Sequence, residues 1–138
     1  MLAKGTILVF AAINLMMVTA YREELKRTIS GCQNGAEVTD EELEEFEKPL
    51  IPKNNEEKCL MACVFKSFGV IVDGVFDPKL ALAVAKDLLK SDPEKVKKIT
   101  AVVEHCGDDI PKKMENDCEL AGEIMKCYVK YEKEVGLA

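Results

Sequence analysis

The sequence predicts an all-α fold: one domain of about six helices joined by disulfides. Three observations support this prediction. Helix start signals recur along the chain, no alternation of apolar and polar residues runs long enough for a half-buried strand, and six cysteines occur in 138 residues. A chain of this length forms one domain and is too short for two domains of ordinary size.

The first twenty residues predict a secretory signal peptide that lies outside the folded domain. Lys4 precedes an apolar stretch over residues 6–18, and small residues follow as far as Ala20. A membrane anchor is the alternative, but the stretch is shorter than the about 20 apolar residues that a bilayer span needs. We therefore expect cleavage after Ala20, a mature domain over residues 21–138 and a secreted, extracellular protein.

Start and stop signals divide the domain into helices with short connections. A capping box begins the second helix at Thr39, Asn54 or Asn55 begins the third, and an Asp-Pro pair begins the fourth at Asp77 and the fifth at Asp92. The apolar residues between the third and fourth helices, 70–76, are expected to form a turn. The predicted helices cover residues 21–29, 39–46, 54–68, 77–89, 92–105 and 116–134.

The cysteines predict disulfides, because their number is even and all of them lie beyond the predicted cleavage site. Zinc is the alternative, but a zinc site needs clustered Cys and His ligands. This chain has no Cys-x-x-Cys pair and a single histidine. We expect neither a metal nor a cofactor. The six cysteines are Cys32, Cys59, Cys63, Cys106, Cys118 and Cys127.

Helix geometry excludes two of the possible pairings. Cys59 and Cys63 lie one turn apart on one helix face, where their parallel Cα–Cβ bonds do not suit a disulfide. Cys118 and Cys127 are separated by about 13–14 Å along the last helix and face opposite sides of it. The third and the last helix are therefore each bonded to other elements, and more than one complete pairing stays open.

The spacing of the cysteines carries a resemblance to a known family. The pattern reads C-x26-C-x3-C-x42-C-x11-C-x8-C, the segment 66–77 reads KSFGVIVDGVFD, and Tyr128 follows Cys127 directly. With the signal peptide and six helices, this pattern resembles that of the insect odorant-binding proteins, which include the pheromone-binding proteins. The resemblance covers the whole predicted mature chain.

The resemblance implies three interlocked disulfides, Cys32–Cys63, Cys59–Cys118 and Cys106–Cys127. It also implies a buried apolar pocket in which a small hydrophobic ligand is carried through aqueous lymph to a receptor. Apolar stripes on the helices supply the candidate wall, although their spacing fits a filled core equally well. The expected ligand-binding residues are Leu60, Val64, Phe68, Phe76, Leu80, Val84, Leu88, Ile99, Val103, Leu120, Ile124 and Tyr128.

Apolar contacts alone distinguish poorly between similar ligands, and a polar partner inside the pocket would increase this selectivity. Four hydroxyl side chains are candidates: Ser67, Thr100, Tyr128 and Tyr131. The ordinary alternative is that such hydroxyls contact solvent or the backbone.

Composition and motifs exclude several other functions. The net charge of −6 argues against nucleic acid and against anionic membrane surfaces as partners. The single histidine, His105, is expected near a helix end, with Asp108 and Asp109 in the loop that follows, so no catalytic group can be assembled. We expect a binding protein and not an enzyme, as a monomer or homodimer. The alternatives are a carrier outside olfaction and a protein-interaction module with a filled core.

Overall fold

The computed structural model describes residues 22–47 and 51–137, so the predicted signal peptide lies outside the described residues. Within these ranges the chain forms six helices and one short hairpin, which confirms the all-α prediction. The helices are α1 over residues 22–32, α2 Asp40–Glu47, α3 Asn55–Ser67, α4 Pro78–Leu89, α5 Pro93–Asp109 and α6 Asp117–Glu134. The strands are β1 Ile71–Val72 and β2 Val75–Phe76.

The helices begin at the caps that the sequence predicts. The side chain of Asn54 accepts from the backbone N–H of Glu57 at 2.9 Å, and that of Asn116 accepts from the N–H of Cys118 at 2.9 Å. Asp77 and Asp92 cap α4 and α5 in the same way, each followed by a proline whose missing N–H costs nothing at that position. These caps satisfy backbone donors that the first helical turn leaves free.

The segment expected to be a turn is a two-stranded antiparallel hairpin. Asp73 and Gly74 both have positive φ, at 51° and 74°, as a tight two-residue hairpin turn requires. Gly74 also accepts a hydrogen bond at 3.1 Å from the N–H of Met114, in the loop between α5 and α6. Strands of two residues are too short to show alternation, but the Asp-Gly pair between apolar residues indicates a hairpin, and this signal was overlooked.

Helix α5 extends one turn beyond its predicted end at His105. It ends at Asp109, because Ile110 precedes Pro111 and adopts the extended backbone that this position favours. The expectation that Asp108 and Asp109 lie in a loop is therefore wrong. Since Asp109 lies four residues after His105 on the same helix, its carboxylate approaches the Nε2 atom of His105 at 3.1 Å.

The three disulfides have the pairing that the family resemblance implies. Cys32–Cys63 joins α1 to α3, Cys59–Cys118 joins α3 to α6, and Cys106–Cys127 joins α5 to α6. The two cysteines of α3, one turn apart, therefore bond to two different helices. The two cysteines of α6 also bond to two different helices. Helix α3 packs extensively on α6, and α4 packs on α5.

Two clusters of buried side chains form the interior. The larger lies where α3, α5, α6 and the hairpin meet, with Val102, Leu120 and Ile124 among its most buried members. The smaller joins α1 and α2 to α3 through Leu25 and Leu43. Phe68, just after α3, packs against both clusters.

Candidate ligand-binding site

Side chains from both clusters, together with neighbouring residues, line an apolar cavity of about 460 Å³ that is partly open to solvent. Its wall draws on five helices, α1 to α4 and α6, together with the start of the hairpin. We call it the apolar cavity. Its described lining residues are Arg22, Leu25, Phe46, Met61, Val64, Phe65, Phe68, Val70, Ala81, Val84, Ala85, Leu89 and Tyr128.

Helix α3 contributes a stripe of large side chains to this wall. Met61, Val64 and Phe65 occupy positions i, i+3 and i+4, and Phe68 completes the same face one turn later. Residues at this spacing lie on one side of a helix. Val64 belongs to the smaller cluster with α1 and α2, whereas Met61 and Phe65 pack against the larger cluster.

Helix α4 contributes small side chains, which leave the space that the cavity occupies. Ala81, Val84 and Ala85 again follow the i, i+3, i+4 spacing. The short side chains of Ala81 and Ala85 leave more room on this side of the cavity than larger side chains would.

The wall is apolar apart from two of its described side chains, Arg22 and Tyr128. A cavity of this size, apolar with a few polar groups, is typical of sites that bind small molecules, which measure roughly 300–1,000 Å³. No buried side chain of the described core is charged. Apart from Arg22, the described wall therefore presents no charged group to an apolar molecule in the cavity.

Tyr128 is the one described side chain whose buried polar atom has no hydrogen-bond partner. Its ring lies edge-on to Phe76, with the ring centroids 6.3 Å apart and the planes at 69°. Burial raises the pKa of the Tyr128 phenol, and the nearby Glu132 carboxylate raises it further. The hydroxyl is therefore neutral throughout the physiological range and keeps its proton to donate.

The other three hydroxyls that the sequence suggested as polar partners are already bonded. Ser67 donates to the carbonyl of Cys63 at 2.9 Å, and Thr100 donates to that of Val96 at 2.7 Å. Tyr131 donates to Asp109 at 3.4 Å, and its ring lies against that of His105 with the centroids 3.7 Å apart and the planes tilted by 54°. None of the three is among the described lining residues of the cavity.

The structure places the sequence-predicted binding residues in three settings. Val64, Phe68, Val84 and Tyr128 line the apolar cavity. Leu60 lines a smaller neighbouring pocket of about 210 Å³, and Leu80 is 42% exposed. The Leu88 side chain lies outside the description. The remaining residues pack in the larger cluster and are Phe76, Ile99, Val103, Leu120 and Ile124.

Sequence reasoning missed much of the wall on α4. The apolar stripe was placed on the large residues Leu80 and Leu88, whereas the cavity meets Ala81 and Ala85, one position further round the helix. The small size of these alanines was the available signal, because a cavity needs small side chains on one side. The contributions of α1 and α2, such as Leu25 and Phe46, had no distinguishing pattern in the sequence.

Within residues 22–47 and 51–137, no group of three or more His, Cys, Asp or Glu side chains is placed to hold a metal ion. None of the described helices has the length and apolar character required to cross a bilayer.

Six helices, three interlocked disulfides and a mainly apolar cavity define a small helical carrier protein. The family model described as "PBP/GOBP family" matches residues 15–131. The chain belongs to this family, and membership implies a carrier of small hydrophobic ligands and not an enzyme. The resemblance drawn from the cysteine spacing is thus confirmed.

Two curated relatives come from Drosophila melanogaster. General odorant-binding protein 19d is 28% identical over 117 residues, which cover 84% of this chain and 77% of the relative. General odorant-binding protein 28a is 27% identical over 144 aligned positions, which cover 97% of this chain and 99% of the relative. The solved structure of odorant-binding protein 28a superposes with a TM-score of 0.68 at 26% identity, and covers 88% of this chain and 99% of that one.

Proposed function

We propose that this protein binds small hydrophobic molecules, odorants or similar compounds, in the apolar cavity and carries them through an aqueous fluid to chemosensory receptors. The observation that carries this proposal is the cavity of about 460 Å³ with only two polar side chains in its described wall. The names of the two relatives support the choice of odorants as the ligand class.

Apolar burial supplies enough free energy for such a role. A ligand with about 300 Å² of apolar surface gains about 7–8 kcal/mol before the costs of association are subtracted. The affinity expected from apolar contacts is therefore about micromolar or weaker. A carrier with this affinity binds its cargo and also releases it, as delivery to a receptor requires.

Binding is tested with an environment-sensitive apolar dye, since the chain contains no tryptophan whose fluorescence a ligand could quench. We expect the dye to bind and to be displaced by long-chain alcohols and esters. Ala85→Phe places a ring in the cavity and should weaken dye binding by about tenfold, since an overfilled site costs about 1–3 kcal/mol.

The matched control is Ala83→Phe, at an exposed position on the same helix. It should bind the dye like the unmodified protein. Equal loss of binding in both variants would place the dye outside the cavity. Absence of dye binding to the unmodified protein would favour an interaction module without a ligand.

We further propose that the chain is secreted after cleavage following Ala20, and that the receptor recognises the loaded carrier. The three disulfides, which need an oxidising compartment, support secretion. Mass spectrometry of protein recovered from the medium of expressing cells should give a chain that begins at Tyr21 and has no free thiol. A secreted chain that still carries residues 1–20 would contradict the proposed cleavage.

A further inference from the structure

A basic surface lies where α4 turns into α5 on an otherwise acidic chain. Five lysines against three acidic residues give residues 86–98 a net charge of +2, whereas the rest of the chain carries −8. One of the five, Lys98, is partly buried, and its Nζ atom lies beside Gly136 at the end of α6. The other four lysines are exposed, and we call them the basic corner: Lys86, Lys90, Lys95 and Lys97.

The protein does not neutralise the charges of the basic corner. None of the ion pairs among the described residues includes any of its four lysines. The carboxylate of Asp92 caps α5 and accepts from the backbone N–H of Lys95 at 3.2 Å. The other two acidic residues of the segment, Asp87 and Glu94, take part in none of these ion pairs either. The four ammonium groups are therefore available to an anionic partner.

Helix stability does not explain the whole set of lysines. Lys86 and Lys90 each benefit from the negative end of the α4 dipole, but they lie four residues apart, where like charges repel each other. Lys95 lies in the first turn of α5, near the positive end of that helix dipole, where an ammonium group is unfavourable. A role in binding accounts for charges in these positions.

We infer that the basic corner is a docking surface for an acidic segment of a partner protein, a stretch of chain rich in Asp and Glu. An extracellular loop of the receptor is the partner that suits a carrier. That choice of partner rests on the proposed function, whereas the docking surface itself does not.

The charge distribution favours a narrow acidic segment over an anionic membrane. Charges at physiological ionic strength interact over about 8 Å, so a short segment at the corner meets mainly its lysines. A membrane extends beyond the corner and is repelled by the rest of the molecule, which carries −8. Lysine ammonium groups on flexible stems also pair with carboxylates without a fixed geometry, as contact with a flexible segment requires.

The basic corner adjoins the helix that borders the apolar cavity. Ala85 and Leu89 line the cavity, and Lys86 and Lys90 follow them directly along α4. A partner that binds the corner therefore contacts a helix whose inner residues border the cargo.

The test measures the binding of a fluorescein-labelled peptide of repeated Glu-Gly pairs by fluorescence anisotropy. The corner variant carries Lys86→Gln, Lys90→Gln, Lys95→Gln and Lys97→Gln. The matched control changes the net charge by the same amount at four exposed lysines outside the corner, and carries Lys112→Gln, Lys113→Gln, Lys126→Gln and Lys133→Gln.

We expect the corner variant to raise the dissociation constant of the peptide about tenfold, a factor of about two for each exposed ion pair lost. The control variant should change the dissociation constant by about twofold or less. Equal losses in both variants would show that net charge and not the corner attracts the peptide, and would overturn the inference. Absence of peptide binding to the unmodified protein would overturn it as well.

Two further measurements locate the contact and identify the partner class. Amide chemical-shift changes on addition of the peptide should concentrate in residues 86–98, and changes centred on another part of the chain contradict the inference. Flotation with vesicles of phosphatidylserine and phosphatidylcholine tests the membrane alternative. Vesicle binding that the corner variant loses, without peptide binding, would identify a membrane surface and overturn the acidic segment as partner.

The apolar dye separates this inference from the proposed function. The corner variant should bind the dye like the unmodified protein, because its four lysines are not among the described lining residues of the cavity. Loss of peptide binding with dye binding intact supports a separate docking surface. Absence of dye binding to the unmodified protein, with the peptide still bound at the corner, would overturn the carrier function and leave the docking surface standing.

Discussion

At the residue scale, Gly74 shows how closely the hairpin approaches the loop between α5 and α6. Its φ of 74° lies in the left-handed region, and a Cβ at this position would stand 2.6 Å from the carbonyl oxygen of Met114. That atom belongs to the backbone, so it cannot move aside without distorting the loop. The glycine is thus required both by the turn and by the contact.

Gly74→Ala should therefore lower the free energy of unfolding by about 1–3 kcal/mol, the cost of a strained backbone residue. Urea denaturation followed by circular dichroism measures this change. Gly31→Ala is the control, because Gly31 lies in α1 and an added Cβ there meets no atom within 4 Å. A loss in Gly31→Ala as large as in Gly74→Ala would argue against this explanation.

Glu132 gives a prediction about pH. Its partial burial on α6 raises the pKa of the carboxyl group above its ordinary value. A raised pKa in the folded state means that folding favours the protonated form. The stabilising contribution is therefore present below the unfolded pKa of about 4.3 and is lost as the pH rises through the folded value.

Glu132→Gln removes this titration. Relative to the unmodified protein, the variant should be more stable to heat at about pH 7 and about equally stable at about pH 4. The reason is that at about pH 7 the neutral amide avoids the cost of burying a carboxylate. Melting temperatures of both proteins at the two pH values measure the gain. Glu134→Gln, at an exposed position of the same helix, serves as the control. A gain of equal size at both pH values would show that ionisation is not its cause.

At the scale of elements, the disulfides differ in the length of chain that they close. Cys59–Cys118 spans 59 residues and Cys106–Cys127 spans 21. A cross-link restricts the unfolded chain more when it closes a longer loop. The bridge between α3 and α6 is also the one that fixes the pair of helices with the most extensive packing.

Replacing Cys59 and Cys118 by serine should lower the free energy of unfolding by about 4 kcal/mol, against about 3 kcal/mol for replacing Cys106 and Cys127. Urea denaturation of the two double variants under non-reducing conditions compares them. If replacing Cys106 and Cys127 lowers the free energy of unfolding more than replacing Cys59 and Cys118, contacts in the native state and not chain entropy determine how much each disulfide stabilises the fold.

The elements also show which parts of the structure the sequence can predict. Caps such as Asn54 and Asn116 are local, because a side chain bonds the backbone two or three residues away, so the helix starts were predicted to within a residue. The end of α5 depends on Ile110 preceding Pro111, and that local signal was overlooked. The hairpin also has a local signal that was overlooked, because Asp73-Gly74 between apolar residues is typical of a tight two-residue turn. Only its contact with Met114, forty residues distant, has no local signal.

The wall of the apolar cavity was harder to predict for a physical reason. Periodicity identifies the buried face of a helix but does not distinguish a packed surface from an empty one. Ile124 and Val103 are buried against other side chains, while Val84 is only partly buried and lines the cavity, although all three lie on the apolar stripes of their helices. The pairing of the cysteines was likewise supplied by the family resemblance, since helix geometry excluded only two pairings.

At the scale of the whole molecule, ligand binding and stability are linked. A ligand that binds only the folded state stabilises it by about 2.7 kcal/mol at a hundredfold excess over the dissociation constant. For a domain of this size the melting temperature should then rise by several degrees. A thermal scan with and without decan-2-one measures the shift.

Ala85→Phe should reduce the stabilisation that a ligand provides. Its ring occupies part of the cavity in the absence of ligand, so the ligand-induced rise in melting temperature should fall to about half of that in the unmodified protein. Ala83→Phe should retain the full shift. A full shift in Ala85→Phe would mean that the ligand stabilises the fold from another site.

The covalent bridges are unevenly distributed around the cavity. Helices α3 and α6 cannot separate at Cys59–Cys118 without breaking a bond, whereas α4 contains no cysteine at all. Yet α4 provides Ala81, Val84 and Ala85, a large share of the wall. An outward movement of α4 would therefore break noncovalent contacts alone and would leave all three bridges closed.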